Sequence, residues 1–367
     1  MVFAFDYVGG AVLRWSRTAD GVECECDKSY TPSFYVTSES TDLGEIRGHL
    51  SIWPAVESTA IEEWRRGFRH EVEPELRVDV GTLDAVREVA SEIRGWGSPG
   101  EYRCYNVDFS REFRYCLETG TDPTPAGELS TMEIMIAPHR LATDDVGKIE
   151  IDGQQFTGSP EFNLKCVRAA VGRLDPDVLI VNTDEVLPTL YGAADRHNIE
   201  DFHLGRREGF EQLAGRSTYE SYGQTGHSPA RYNLPGRAII DRSNTFFLAE
   251  TNLEGCLDLV ERSRKPLQEL AWASIGNVLT AIQIREARQR NVLVPWNPWR
   301  HEQFKTMNQL HEADRGGFTF APDVGIHERV HELDFSSLYP NIICQERLRG
   351  PCGTHIGSSR GSRCTGR

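Results

Sequence analysis

Alternating apolar and polar positions, mixed with segments of helical spacing, characterise the first 128 residues. Residues 32–36 (PSFYV) and 76–80 (LRVDV) have the period-two pattern of half-buried strands. Thr82 to Arg94 has apolar residues at helical spacing and predicts an amphipathic helix. Turn-forming residues are concentrated in 119–127, where a domain boundary is expected. We therefore predict an α+β domain over residues 1–128.

A second region, residues 129–263, alternates strands with helices. The segment STMEIMI predicts a strand, and KIEIDGQQF predicts a hairpin that turns at Asp152-Gly153. Pro160 to Leu174 predicts a helix, Asp177 to Val181 a buried strand, and the following residues through Ala194 a second helix. This order favours an α/β domain in which helices cover a sheet.

The pattern changes again in the segments that follow. Residues 205–236 are rich in Gly, Ser, Tyr and Arg and predict a loop or insertion, after which GRAIID (236–241) predicts a strand. Arg264 to Arg290 predicts one long helical stretch, and we assign residues 264–300 to a connecting helix and linker. Six apolar residues are predicted on the buried side of that stretch: Leu267, Leu270, Ile275, Val278, Leu279 and Ile282.

Composition adds a strong charge imbalance. The chain of 367 residues has a formal net charge of −15, with only five lysines against 35 arginines. An acidic, lysine-poor surface is what high salt favours, so a halophilic source is expected, with an acidic mesophilic protein from a high-GC genome as the alternative. The negative total disfavours a phosphate-rich partner, but in concentrated salt local arginines decide such binding.

The chain has no apolar run of membrane-spanning length and no secretory signal pattern at its start, so a cytoplasmic location and no membrane partner are expected. The nine cysteines lack zinc-site spacing, since the one close pair is Cys24 and Cys26. We expect these thiols to be reduced.

One short motif carries the candidate chemistry. Residues 330–343 read VHELDFSSLYPNII and predict an apolar strand that ends in Asp334 and turns sharply through Tyr339-Pro340 into a helix. A lone aspartate at a strand end is more often a helix cap or a solvated turn residue. The combination of ten consecutive positions is much more specific.

This motif resembles the first palm motif of family B DNA polymerases, whose pattern is Asp-x-x-Ser-Leu-Tyr-Pro-x-Ile-Ile. Upstream segments resemble the same family in the same order, among them 30–36, 105–108 with the helix from Arg111 to Leu117, and 273–295. The resemblance implies a multidomain α+β fold. It comprises an N-terminal domain, a degenerate ribonuclease-H-like 3′–5′ exonuclease-type domain over 129–263, and the start of the palm over 301–346.

The resemblance also implies the site residues and their ligands. Family members transfer nucleotides from deoxynucleoside triphosphates to a DNA primer-template with two Mg²⁺ ions, which carboxylate oxygens hold. Asp334 and the Phe335 carbonyl would bind metal, the backbone amides of Ser336, Ser337 and Leu338 would bind the triphosphate, and the Tyr339 ring would exclude a 2′-hydroxyl. Gly316-Gly-Phe318 resembles a Gly-Gly-aromatic loop of the family that lets the template backbone approach closely, with a simple turn as the alternative. The resemblance implies DNA binding by Arg315, Gly316 and Gly317.

The carboxylates that the family uses for proofreading are largely missing. The opening strand of this domain carries Glu133 without a second acid, and Leu187 stands where an aspartate is expected after Asn182. Without paired carboxylates two metals are not held, so we predict no 3′–5′ exonuclease activity. The nearby acids are expected to form a solvated face; they are Asp184, Glu185 and Asp195.

The polymerase motifs are also incomplete. The hairpin that carries the second metal carboxylate in the family does not occur before Arg367, so we predict that the chain alone is inactive. Residues 347–367 hold five arginines and no acid and are expected to be a basic tail or a frame-shifted end of a truncated gene. The alternative function is a non-catalytic DNA-binding or scaffold protein that contacts phosphate through Arg285, Arg288, Arg290, Arg300 and Arg315. The sequence does not indicate protein partners.

Overall fold

The computed structural model describes residues 2–221, 224–243, 246–297 and 306–313, together with 321, 323–331, 334, 337–338 and 341–342. The chain divides into two compact units, residues 1–300 and 301–367. The first unit contains all the sheets described below.

The first unit opens with an antiparallel meander and continues with a four-stranded sheet. The meander consists of β1 (Val2–Val8), β2 (Ala11–Thr18) and β3 (Gly21–Asp27). The next elements are β4 (Ser33–Ser38), α1 (Leu43–Leu50), β5 (Val56–Arg65), β6 (Val72–Val80), α2 (Leu83–Arg94) and β7 (Tyr102–Tyr105). The sheet has the order β5-β6-β4-β7 and is antiparallel throughout. α3 (Arg111–Thr119) follows it.

The two strands and the helix predicted for this region are present in the structure. Residues 32–36 and 76–80 lie largely in β4 and β6, and α2 begins after Thr82, whose side chain caps it by accepting from the Ala85 amide. Capping and the apolar face explain why the helix forms there, since α2 buries Val86, Val89 and Ile93 against the sheet.

A five-stranded mixed sheet follows, with the order β10-β9-β8-β11-β16. This part of the chain contains, in order, β8 (Thr131–Met135), α4 (Pro138–Leu141), β9 (Lys148–Ile151), β10 (Gln154–Thr157), α5 (Pro160–Leu174), β11 (Val178–Val181) and α6 (Val186–Arg196). β8 and β11 are parallel, whereas β9 and β10 form the hairpin that was predicted at Asp152-Gly153. The predicted helix Pro160–Leu174 matches α5 at both ends.

The segment predicted as a loop, residues 205–236, instead contains four short strands. They are β12 (Glu211–Ala214), β13 (Ser217–Ser221), β14 (Gln224–Ser228) and β15 (Arg231–Asn233), paired as β12 with β15 and β13 with β14. The Gly-, Ser- and Tyr-rich composition was read as turn chemistry, but such residues also suit short exposed hairpins. β16 (Ala238–Asp241) then completes the mixed sheet by pairing in parallel with β11.

The predicted continuous helix from Arg264 to Arg290 is broken in the structure. α7 (Phe246–Ser263), α8 (Leu267–Leu270) and α9 (Ile275–Gln289) are separate, and Ser274 caps α9 by accepting from the Asn277 amide. Ile275 and Leu279, both predicted to be buried, are more than half exposed, because the break reorients α9 relative to α8.

Two apolar clusters cover the two faces of the mixed sheet. One face packs against α5 and α6, and the other packs against the β1–β2 hairpin and the helices α7, α8 and α9. An ion-pair network ties the first hairpin to the sheet: the buried Asp177 carboxylate lies 2.7 Å from Arg17 and 2.9 Å from Arg206. The meander is therefore an integral layer of this unit.

The second unit has one described helix of its own, α10 (Met307–Ala313). Val330, His331 and Asp334, which were predicted to lie on a strand, are exposed and belong to no strand. The strand was predicted only from the apolar residues before Asp334. A strand also needs a second strand to pair with, and a short apolar segment does not show whether one is available. The predicted tail, 347–367, lies outside the described residues.

Among the described residues, no helix combines the length and apolar character that a bilayer crossing needs.

Candidate functional site

The motif from Asp334 to Ile343 is described at five of its ten positions, all in the second unit. Asp334 is exposed, Ser337 has a left-handed backbone with φ +52°, and Leu338 begins a helical turn. The Asn341 amide donates to the Ser337 carbonyl at 3.0 Å, which closes that turn. The described residues of the motif thus include one left-handed residue, Ser337, and three residues of helical conformation, Leu338, Asn341 and Ile342.

Several predicted site residues fall outside the described residues. They are Phe335, Ser336, Tyr339, Arg315, Gly316 and Gly317. The metal- and nucleotide-binding roles proposed for this motif therefore remain predictions.

In the first unit, acidic side chains gather near the carboxyl ends of the parallel strands, where open α/β sheets commonly place their sites. Glu133 lies within β8, Asp184 follows β11, and Asp241 ends β16. We call Asp184, Glu185, Asp241 and the arginine described below, Arg216, the Asp184 cluster.

Arg216 lies between β12 and β13 and forms a two-pronged ion pair with Asp184. Its Nη2 is 2.7 Å from Asp184 Oδ1, and its Nε is 3.0 Å from Oδ2. Asp184 also accepts from the Ala230 amide at 2.8 Å and from the Thr183 hydroxyl at 3.1 Å. Burial raises the pKa of Asp184, but these hydrogen bonds and the guanidinium charge outweigh it, so the net pKa is lowered.

The expectation that Asp184 belongs to a solvated face is wrong. Its side chain is only 4% exposed, whereas Asp195 is exposed as predicted and Glu185 is 42% exposed. Asp184 comes three residues after the buried strand β11, and a side chain so close to a buried strand can lie inside the protein. Its place in the sequence therefore does not show whether it is solvated.

Glu133 and Asp241 lie on opposite faces of the sheet. Side chains alternate along a strand, and the neighbours of Glu133 in β8, Met132 and Ile134, both pack against α5 and α6. Asp241 is paired in register with Val181, which packs on that same α5–α6 face. Glu133 therefore points to the other face, where it forms an ion pair with Arg242.

This register has a direct chemical consequence. Two carboxylates on opposite faces of one sheet do not hold the same metal ion, and each of Glu133 and Asp184 already has an arginine partner. The described residues contain no group of three or more His, Cys, Asp or Glu side chains arranged to hold a metal ion.

A second polar cluster lines a groove of about 1130 Å³ that α3, α8, α9 and the hairpins border. The Glu269 carboxylate in this cluster accepts from the amides of Glu112 at 2.9 Å and Phe113 at 3.2 Å. It also accepts from the Lys265 ammonium at 2.7 Å and from the Ser110 hydroxyl. Since these amides belong to the first turn of α3, Glu269 caps that helix from a distant part of the chain.

Sequence reasoning missed Arg216, Arg242 and Asp241 as site residues. For Asp241 a signal was present, since it ends the apolar run GRAIID as Asp334 ends its own run. The two arginines had no such signal, because their partners come from segments far away in the sequence.

Similarity to known proteins is found in sequence over part of the chain. DNA polymerase 2 of Saccharolobus solfataricus is 33% identical over 86 residues, which are 23% of this chain and 14% of that protein. DNA polymerase 1 of Pyrococcus abyssi is 34% identical over 115 residues, or 31% of this chain and 14% of the relative. The DNA polymerase of Archaeoglobus fulgidus is 29% identical over 146 residues, or 40% and 17%. No family model matches the chain.

Similarity in fold extends further. The structure of the family B DNA polymerase from Pyrobaculum calidifontis matches with a TM-score of 0.58 and 16% sequence identity, over 83% of this chain and 52% of that one. The chain thus spans about half the length of this neighbour, and its matched segments span 14 to 17% of the three curated relatives. The chain is thus similar in sequence, over part of its length, to the three DNA polymerases named above, and similar in fold, over most of its length, to a family B DNA polymerase.

Proposed function

We propose that the chain is a front portion of a family B DNA polymerase that serves template-directed nucleotide transfer. The observation that carries the proposal is the string from Asp334 to Ile343, which occurs in a chain whose fold is similar to such a polymerase over 83% of its length. The left-handed backbone of Ser337 and the helical conformation of Leu338 support the turn and helix of this motif, whereas the expected strand is not formed at the described residues before Asp334.

In this proposal the motif binds a deoxynucleoside triphosphate together with Mg²⁺. Asp334 and the Phe335 carbonyl are the metal ligands, because hard oxygen atoms suit Mg²⁺. The amides of 336–338 bind phosphate oxygens, as exposed amides at a helix start do for anions, and Tyr339 discriminates against a 2′-hydroxyl. Asp334 is exposed and therefore accessible to such a ligand. An acidic composition poor in lysine supports a halophilic setting for this activity.

Catalysis by these 367 residues alone is not expected. Two-metal transfer needs a second carboxylate from another motif, and the sequence to Arg367 contains none that resembles it. Proofreading is not expected either, because Arg242 and Arg216 neutralise Glu133 and Asp184, and the register separates Glu133 from Asp241.

The motif is tested by nucleotide binding. A fluorescent dATP analogue should bind the full chain in the presence of Mg²⁺, and Asp334→Asn should lose that binding. Asp323→Asn is a matched control, since Asp323 is another exposed acid of the same unit. Equal binding by all three proteins, or none by the original chain, would contradict the nucleotide role of the motif.

Primer extension tests the remaining statements. The chain alone should neither extend nor shorten a labelled primer on a template with Mg²⁺ or Mn²⁺. Extension would refute the expected inactivity, and shortening would refute the loss of proofreading.

The second candidate function, a non-catalytic DNA-binding or scaffold protein, depends on free arginines. Arg285 donates to the backbone carbonyls of Glu261 and Arg262, Arg288 stacks on Trp64, and Arg290 forms an ion pair with Glu286. Arg300 and Arg315 lie outside the described residues. Retention of primer-template DNA on a filter across a salt series would favour this function if binding persisted while nucleotide binding was absent.

A further inference from the structure

The Asp184 cluster has an exposed arginine above buried carboxyl groups. Arg216 is 56% exposed, whereas Asp184 is 4% exposed and Asp241 is fully buried. The same guanidinium reaches Glu185, with its Nη2 2.8 Å from Glu185 Oε1. One arginine therefore neutralises two carboxylates at once.

Asp241 adds a third carboxyl group to the cluster. Its Oδ1 accepts from the Ser243 amide at 2.8 Å and the Ser243 hydroxyl at 2.7 Å, while its buried Oδ2 has no hydrogen-bond partner within the described chain. Burial, together with the nearby Asp184 charge, raises the pKa of Asp241. A buried carboxyl oxygen without a hydrogen-bond partner, close to the charge of Asp184, is the kind of environment that a cation stabilises.

The resemblance to an exonuclease-type domain implies divalent cations at this edge of the sheet. The carboxylates of the Asp184 cluster do not fit such cations. Both oxygen atoms of Asp184 already accept hydrogen bonds from Arg216, and a guanidinium repels a second positive charge at the same place. Asp184 and Glu185 are arranged around a planar guanidinium rather than around an ion, and the described residues contain no group of side chains arranged to hold a metal ion.

We infer that Arg216 is a built-in counter-ion that takes the place of a divalent cation at this sheet edge and closes the Asp184 cluster to such cations. Arg216 belongs to the short link between β12 and β13, and the Ala230 amide before β15 also donates to Asp184. The same contacts thus hold both hairpins on the sheet. The inference concerns only these contacts and stands whether or not the polymerase proposal is correct.

The inference is tested by counting the Mn²⁺ ions bound per chain. Electron paramagnetic resonance measures the free Mn²⁺, because its signal is lost when the ion binds to protein. The full chain and Asp184→Asn should bind equal numbers of Mn²⁺ ions, since Asp184 is not available to metal. Arg216→Ala should bind about one additional ion per chain, because the Asp184 and Glu185 carboxylates then lack their counter-ion. The added Asp184→Asn change in the Arg216→Ala background should remove that ion.

Arg262→Ala is the matched control, because Arg262 forms an exposed ion pair with Asp258 on α7 and should gain no Mn²⁺ when removed. Two results would overturn the inference. One is an original chain that binds an ion which Asp184→Asn abolishes. The other is a folded Arg216→Ala chain that binds no more ions than the control. If Arg216→Ala does not fold, Arg216→Gln takes its place, because it removes the charge but keeps a hydrogen-bond donor towards Asp184, and the same gain of an ion is expected.

Discussion

Removal of the Glu269 carboxylate should destabilise the first unit more than removal of any exposed acid. Its side chain is 10% exposed and accepts four hydrogen bonds, from the Glu112 and Phe113 amides, Lys265 and Ser110. These contacts join α8 to the first turn of α3, where Ser110 makes no side-chain cap of its own.

The magnitude follows from what the substitution leaves unpaired. Glu269→Ala leaves the Lys265 ammonium, 7% exposed, without its carboxylate, and removing one partner of a buried pair costs about 3–5 kcal/mol. Loss of the α3 cap adds about 1 kcal/mol, partly offset by water that enters the adjoining groove. We expect the free energy of unfolding to fall by roughly 4 kcal/mol.

The dependence on pH gives a second readout of the same group. Burial raises the pKa of Glu269, but the Lys265 charge and the hydrogen bonds outweigh it and lower the pKa to about 2. A lowered folded-state pKa stabilises the protein above the ordinary value of 4.5, and that stabilisation disappears as the pH falls towards 2. Glu269→Gln should therefore remove part of the acid sensitivity of the original chain.

The pKa of Glu112 is shifted in the opposite direction to that of Glu269. Burial and the neighbouring Glu269 charge raise the pKa of its carboxyl well above the ordinary range. Its contribution is complete below pH 4.5 and is lost as the pH rises through the raised value. Glu112→Gln keeps a hydrogen-bond donor towards Glu269 and should gain stability relative to the original chain as the pH rises.

Urea unfolding, followed by tryptophan fluorescence at fixed salt between pH 3 and pH 9, measures both effects. Glu254→Ala, an exposed acid on α7, is the control and should change stability by less than about 0.5 kcal/mol. If Glu269→Ala lowered the free energy of unfolding no more than the control does, the proposed cap and ion pair would be refuted.

Two further substitutions test the packing of the first unit. Arg114→Ala should lower the free energy of unfolding in urea by about 3–5 kcal/mol, since this 2% exposed side chain donates to three backbone carbonyls and pairs with Glu118. The exposed Arg87→Ala is the control, and an equal loss of unfolding free energy in the two variants would contradict the structural role of Arg114. Gly236→Ala should lower the melting temperature more than Gly120→Ala: both glycines have φ above +70°, but an added Cβ meets the Trp15 ring at 2.9 Å at Gly236 and nothing within 4 Å at Gly120. Equal shifts for the two glycine variants would show that backbone strain alone accounts for the effect.

Local pattern was sufficient to predict most of the regular elements. α2 and α5 were predicted with their boundaries because capping residues and apolar spacing lie within each helix, and β11 was predicted because four consecutive residues are buried. The β9–β10 hairpin was predicted from Asp152-Gly153, since both residues have positive φ there. The motif from Asp334 to Ile343, and with it the polymerase interpretation, was also available from the sequence.

Tertiary structure decided the charges at the sheet edge. Whether Asp184 is solvated or paired depends on Arg216, which comes from a hairpin 32 residues later, and whether Glu133 and Asp241 share a face depends on strand register. Ion pairs and register join distant segments, and no periodicity within one segment encodes them. The sequence by itself therefore determined which elements form and which family the chain resembles, whereas the packing of those elements determined which carboxylates remain free to bind a cation.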